Sequence, residues 1–345
     1  MGTSIVICCH NSAKRLPETL AHLARQVSTD ALPWEVIVVD NASTDDTAKV
    51  ALACWPAGHP APLRVEAEPN PGLMYARRRG LAAARYDLVS FIDDDNWVCP
   101  EWVGLVHRIM SEHPEVGALG GQVEAVCEVE PPPWFEQHKG CYAVGRQAPE
   151  SGDVTDTRGH LWGAGLTIRR EAWIRLLSAG YRPLLSDRKG KALSSGGDTE
   201  ICLALRLSGW RLWYDERLTM KHYLPAQRLR WAYLRGLHRG FGLAWTVLNA
   251  TYRGFDRPEP RTLADRRWST WWWPAASAAR GLVTHYLRYL LTYRSLHEGE
   301  HEILHVEAQI GRIVAFMRYR NQLERARREI RTAPWRLRRA VEQLP

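Results

Sequence analysis

Residues 87–102 read DLVSFIDDDNWVCPEW. The apolar run Leu88, Val89, Phe91 and Ile92 has the length and side chains of a buried strand, and it ends against three successive carboxylates, Asp93, Asp94 and Asp95. Like charges this close raise one another's pKa and cost free energy unless a cation or hydrogen-bond donors compensate. The triplet is therefore either a solvated turn, since Asp is common where strands end, or a seat for something positive.

Outward from this stretch, strand and helix signals alternate. SIVICC (4–9) and WEVIVVD (34–40) are β-branched runs, and LRVEAEP (63–69) is a third strand. Between them lie a helical pattern reaching about Val27, with Asn11 and Ser12 as caps, and NASTDDTAKVALACW (41–55), which opens with capping residues. GLMYARRRGLAAARY (72–86) is a third helix leading into the strand that carries the triplet. This order predicts an α/β fold, Rossmann-like, with a mostly parallel sheet flanked by helices and ligands at the carboxyl ends of the strands. Asp40 and the aspartate triplet both fall at such ends. A hard divalent cation takes carboxylate oxygens and keeps positions open for phosphate oxygens, so this placement favours the cation reading.

After Pro114 the alternation weakens. ALGGQVEAVCEV (118–129) reads as a pair of strands, PPPWF (131–135) as a rigid loop, and HLWGAGLTIRREAWIRLL (160–177) as a strand followed by a helix. SSGGDTEICLALRLSGW (194–210) is a loop entering an amphipathic helix. Asp198 there reads, by itself, as a helix N-cap, with Glu200 complementing the helix dipole; the functional alternative is a catalytic base. Arg77 lies on the side of its helix that carries Gly72, Ala76 and Gly80, which suits close approach to a phosphate.

The chain divides by composition. Residues 225–345 hold 22 Arg, no Lys and 10 acidic residues, a charge of +12 against +8 for the whole, and seven of the sixteen Trp. The expected domains are therefore 1–224, catalytic, and 225–345, helical, basic and Trp-rich, with breaks at Pro258, Pro260, Pro274 and Gly299. No apolar run approaches the roughly 18 residues of a spanning helix, and no early leader is evident. The seven scattered cysteines form no CxxC pair, which fits reduced thiols in a cytoplasmic protein.

Six stretches in order, IVICCHN, VIVVDNASTDDT, NPGLMYARRRG, FIDDDNWVCPEW, WGAGLTIRREAW and GGDTEICLALRLSGW, resemble the family 2 glycosyltransferases, which have the GT-A fold. The resemblance runs from about Ser4 to about His222. It implies an inverting transfer from a nucleoside-diphosphate sugar, a UDP-sugar favoured, with Mn²⁺ or Mg²⁺ held by the aspartates. By the same resemblance, Asp40 and Asn41 meet the nucleotide base and ribose. Cys8 stands near the base, where several relatives have a hydroxyl residue, and Asn41 where many have Asp. Arg77 matches the family's donor-side arginine, with Arg78 replacing the usual Asn. Asp95 is the first metal ligand, with Asp93 beside it, while Asp94 touches the sugar or ribose. His222, in MKHYLP, lies where many relatives place a His near the metal or diphosphate. Asp198 is the implied base, with Trp162, Gly197 and Glu200 on the acceptor side; Gly197 replaces a Glu of the family pattern.

The implied acceptor is a hydroxyl of a growing surface polysaccharide or lipid-linked glycan. Two alternatives remain from the residues alone: a metal-dependent nucleotidyltransferase, and a non-catalytic carbohydrate- or membrane-binding protein. The first expects a Gly-rich triphosphate loop, which ICCHNSAKRLP lacks. The Arg- and Trp-bearing helices beyond Leu224 either pack on the core or lie on an anionic membrane, placing the protein peripherally at the inner face. No nucleic-acid module is evident. His297, His301 and His305 recur at four-residue spacing, but Gly299 and the neighbouring glutamates predict a solvated stretch without metal.

Overall fold

A computed structural model describes residues 1–185, 196–252, 272–294 and 298–337. The chain opens with β1 (Thr3–Cys9), α1 (Leu16–Ala24), β2 (Trp34–Asn41), α2 (Thr47–Cys54), β3 (Leu63–Glu68), α3 (Leu73–Ala83) and β4 (Leu88–Asp93). It continues with β5 (Asn96–Val98), α4 (Trp102–Glu112), β6 (Val116–Cys127), α5 (Phe135–His138), β7 (Gly152–Asp153), β8 (Thr167–Arg169), α6 (Arg170–Ser178), α7 (Gly197–Leu207) and β9 (Arg211–Leu224). Three long helices follow: α8 (Trp231–Tyr252), α9 (Trp272–Arg294) and α10 (His301–Thr332). The alternation expected up to the aspartates is present, strand for strand.

Among the described residues, one nine-stranded sheet runs β3-β2-β1-β4-β8-β6-β9-β5, with β7 paired to β9. β1, β2, β3 and β4 are mutually parallel where they pair. Beyond β4 the sheet is mixed: β8 is antiparallel to β4 and β6, β5 is antiparallel to β9, and β6 and β9 are parallel. Purely parallel pairing thus describes the first half, and the second half mixes both kinds. The chain reverses direction of growth around β1, and such a switch point leaves a crevice outside the carboxyl ends of the strands. β1 is the buried centre of this half, with Ile5, Val6 and Ile7 fully inaccessible. α3 seats on it without a spacer, since a Cβ on Gly80 would lie 2.3 Å from Val6.

Residues 118–129 depart from the expected strand pair. β6 is a single strand of 12 residues, and its adjacent glycines Gly120 and Gly121 mark close approach, not a turn. A Cβ on Gly121 would sit 2.0 Å from the Leu218 carbonyl oxygen, and one on Gly120 would sit 2.8 Å from Gln147 Nε2. α1 is also shorter than expected. Its entry is held by the Ser12 carbonyl, which accepts from the Arg15 and Leu16 amides, while Ser12 Oγ accepts from His10 N.

The chain forms two compact units that no single cut separates. One comprises Met1–Glu130, Tyr142–Arg175 and Trp210–Pro225; the other comprises Pro131–Cys141, Leu176–Gly209 and Ala226–Pro345. The first holds the sheet. In the second, α8 and α10 touch backbone to backbone, because a Cβ on Gly242 would lie 2.0 Å from the Ala308 carbonyl oxygen and one on Gly311 2.0 Å from that of Arg239. Leu243, Val247, Leu248, Tyr252, Ala315 and Leu323 fill the core beside this crossing. Glu307, fully buried on α10, receives both Arg235 and Arg239 from α8 at 2.5 Å each. No helix among the described residues is long and apolar enough to cross a membrane. Residues 268–271, Pro258, Pro260 and His297 lie outside the described residues. His305 Nε2 lies 2.9 Å from Gln309 Nε2.

Candidate active site

The parallel register brings the expected donor-side residues to one level. Cys8 pairs with Asp93 across β1 and β4, and Cys9 pairs with Asp40 across β1 and β2. Arg77 reaches this level from α3; it is buried, with its guanidinium 5.8 Å from the centre of the Phe91 ring. Burial pushes the Cys8 thiol up to about 12, opposed by Arg77 and reinforced by Asp93 and Asp94. Cys8 is therefore a neutral, packed side chain among charges.

The triplet divides into three environments. Asp93 closes β4, and its backbone N–H donates to Asn96 Oδ1 at 3.3 Å. Asp94 is buried and takes a guanidinium bond from Arg15 at 2.6 Å, while its carbonyl accepts from Thr19 Oγ1 at 2.9 Å. Its carboxyl is raised above the usual range by burial and then by Asp95, with Arg15 pulling the other way. Asp95 is 2% exposed. Its Oδ1 accepts from Asn96 Nδ2 at 3.3 Å and lies 3.6 Å from His222 Nε2.

His222 arrives by strand pairing: Asn96 on β5 is opposite His222 on β9. Its Nδ1 lies 3.0 Å from the Tyr142 carbonyl oxygen, to which it can only donate. In the neutral ring this leaves Nε2 as an acceptor, and it faces a carboxylate oxygen. Two acceptors at that distance are mutually repulsive unless a proton or a cation lies between them. Carboxylate oxygens and an imidazole nitrogen fixed from behind by a backbone carbonyl form a donor set that suits a divalent ion.

Next to it Trp97 is stacked between His22 and Tyr223, each ring centre 5.8 Å away.

At the end of β2, Asp40 Oδ1 accepts from the Ser43 amide at 3.3 Å. Asn41 is turned to a different task from the base contact expected of it. Its Nδ2 donates to the carbonyls of Glu68 and Asn70 at 3.1 and 2.6 Å, and its Oδ1 accepts from Gly72 N at 2.8 Å. An aspartate could not make the two donations, so Asn here orders the loop that leads into α3.

The second unit places Asp198 one turn-position inside α7. The N-cap is Gly196, at φ 102°, so the capping reading of Asp198 is corrected: it is half-buried in the first turn, and its Oδ1 accepts from Thr199 N at 2.8 Å. Gly197 is buried at the helix start. Glu200, expected on the acceptor side, is instead fully buried. Its carboxylate accepts from the Leu184 and Leu185 amides at 2.8 and 2.9 Å and from the Tyr252 hydroxyl at 2.9 Å, which clamps α8 to the segment before α7. In the sheet unit, Trp162 lies under Arg158, whose guanidinium is 5.0 Å from the ring centre, and its amide donates to Gln147 at 2.7 Å.

Arg15, Thr19 and Asn96 organise the triplet and are absent from the sequence-based candidates. The only sequence signal for Arg15 is a basic residue following SIVICCHN at the carboxyl edge of β1.

Such an acidic cluster, backed by an arginine on α3, lies at the switch point of the sheet, where open α/β enzymes bind their ligands. The family model described as Glycosyl transferase family 2 matches residues 4–176, half of the chain, and the chain belongs to that family. It is a glycosyltransferase, which favours the first of the three readings of the sequence. A glucosyl-dolichyl phosphate glucuronosyltransferase of Haloferax volcanii is 22% identical over 256 residues, covering 70% of this chain and 76% of the relative. Human dolichyl-phosphate beta-glucosyltransferase is 35% identical over 98 residues, 27% of this chain and 30% of that protein. Among solved structures, S. aureus TarS 1-349 superposes with a TM-score of 0.51 at 16% identity, covering 93% of this chain and 92% of that one. The same protein with UDP gives a TM-score of 0.50 at 17% identity over 93% and 92%. Both share the GT-A fold.

Proposed function

We propose that the protein transfers a sugar from a nucleoside-diphosphate sugar, a UDP-sugar first, to a lipid-linked acceptor in a single inverting displacement. The observation that carries this reading is His222 Nε2 facing Asp95 Oδ1 at 3.6 Å, with the other ring nitrogen committed to a carbonyl. Asp95, Asp93 and His222 are the residues that would hold Mn²⁺ or Mg²⁺. When bound, such an ion neutralises the charge that develops on the departing diphosphate. Arg77, buried at the same edge, supplies fixed positive charge to the phosphates. On this reading Asp94, tied to Arg15, would orient sugar or ribose hydroxyls, and Asp40 would meet the nucleoside. Asp198, with Oδ1 on the Thr199 amide in the first turn of α7, would take the proton of the attacking hydroxyl.

The relatives' names support a dolichyl-phosphate-type acceptor, and the TarS complex supports UDP. Calorimetric titration of UDP in Mn²⁺, then in EDTA, then with Asp95→Ala, tests the donor half. Binding is expected in Mn²⁺ and lost in the other two; equal affinity in all three overturns the metal role.

A further inference from the structure

The helical unit gathers three potential ligands of a different kind from the aspartates. His138 ends α5, Cys141 follows within the next turn, and His238 projects from α8. Their ligand atoms all lie within 4.8 Å of one another. Cys141 Sγ is 3.5 Å from His238 Nε2, and the two imidazole rings are perpendicular with centres 6.1 Å apart. In a tetrahedral zinc site, with bonds of about 2.0 Å to nitrogen and about 2.3 Å to sulfur, nitrogen and sulfur are about 3.5 Å apart. The Cys141–His238 edge already has that length.

A plain S–H···N hydrogen bond would account for two of the three groups. It leaves the third: His138 is 7% exposed, and its Nε2 is buried with no hydrogen-bond partner among the described residues. A buried polar nitrogen is normally satisfied, and this ring lies in a cluster with a second imidazole and a thiol, each within reach of one of its nitrogens.

We propose that His138, Cys141 and His238 bind one zinc-type divalent ion through two imidazole nitrogens and a thiolate. Soft sulfur with imidazole selects zinc and its neighbours over the magnesium or manganese suited to carboxylates. The Cys141 thiol gives up its proton to solvent as the metal–sulfur bond forms. Burial lowers both rings, His238 down to about 4, so the nitrogens carry the lone pairs that ligation needs. Burial also raises Cys141 to about 11, so its ionisation waits on a cation. The fourth position falls to water. The ion would tie the 131–141 segment to α8, a structural clip independent of sugar transfer.

Cobalt(II) is the probe. The full chain, stripped with a chelator, is titrated with Co²⁺ and followed by absorption. One equivalent is expected to give a thiolate-to-cobalt charge-transfer band, displaced by Zn²⁺ and abolished in Cys141→Ala. His138→Gln and His238→Gln, which keep the sulfur, are expected to weaken Co²⁺ binding at least about tenfold. Carboxylate sites produce no thiolate band, so binding at the aspartates is told apart. Absence of the band in the wild-type chain, its survival in Cys141→Ala, or unchanged affinity in both histidine variants overturns the proposal.

Discussion

At the carboxyl edge of the sheet, Asp93, Asp94 and Asp95 gather with Arg15 and Arg77, three carboxylates against two guanidiniums. In the helical unit Glu307 meets Arg235 and Arg239, one carboxylate against two, with four bonds of 2.5 to 2.9 Å. Both sets are substantially buried, yet they are balanced in opposite directions. The helical set saturates its acceptor and is complete as it stands. The sheet set raises Asp94 despite its 2.6 Å arginine, which leaves a reason to admit an external cation. Burying charge by itself does not mark a functional site; burying it with incomplete compensation does.

The largest effect that sharpens this contrast is expected at Glu307. Glu307→Ala leaves two arginines without their shared partner, one of them half-exposed, and should cost about 3 kcal/mol of stability while leaving UDP affinity unchanged. Chemical denaturation beside UDP titration measures both, and a stable variant with weakened UDP binding would break the comparison. Asp198→Asn is expected to do the reverse. The variant should melt like the wild type and turn over roughly 10²-fold more slowly, because a neutral amide cannot take a proton. Near wild-type turnover with an unchanged melting point would remove Asp198 as the base. Glu200 cannot serve as its substitute, since its oxygens are already engaged.

Glu200→Gln should therefore behave as a structural change, costing about 2 kcal/mol because an amide nitrogen replaces one acceptor of two backbone N–H groups and the Tyr252 hydroxyl. A loss of turnover without loss of stability would return Glu200 to the acceptor side. The smallest effect is expected at membranes. We expect the Arg-rich chain beyond Leu224 to co-sediment with anionic liposomes at low salt and to release as salt rises. Equal sedimentation with neutral vesicles would leave only packing roles for those arginines.

The parallel half of the fold was legible because each of its strands is a β-branched or aliphatic run closed by a turn or a cap. The mixed half was not. Gly120 and Gly121 looked like a turn, and only the neighbouring Leu218 and Gln147 show that they admit close contacts within one strand. Asp198 looked like a cap because two glycines precede it; the left-handed backbone of Gly196 shifted the helix start by two residues. The aspartate triplet announced itself through local charge density. His222 stands 127 positions after Asp95 and entered only through the family pattern, since nothing local records which strand will lie beside it. Glu200 misled for a similar reason: its partners are amides at 184 and 185 and a hydroxyl at 252, and an acid beside a candidate base gives no hint of them.

The position of β9 has a consequence for synthesis. β5 has β9 as its strand partner, and β9 is the last strand of the sheet to leave the ribosome. The first four strands can assemble while fewer than a hundred residues have emerged, whereas residues 96–98 must wait for 220–222. Pairings across such sequence separations form late, after loop closure has been overcome. A nascent chain released before His222 would carry its aspartates without the histidine that faces them, so the pairing of Asp95 with His222 forms only near the completion of the sheet.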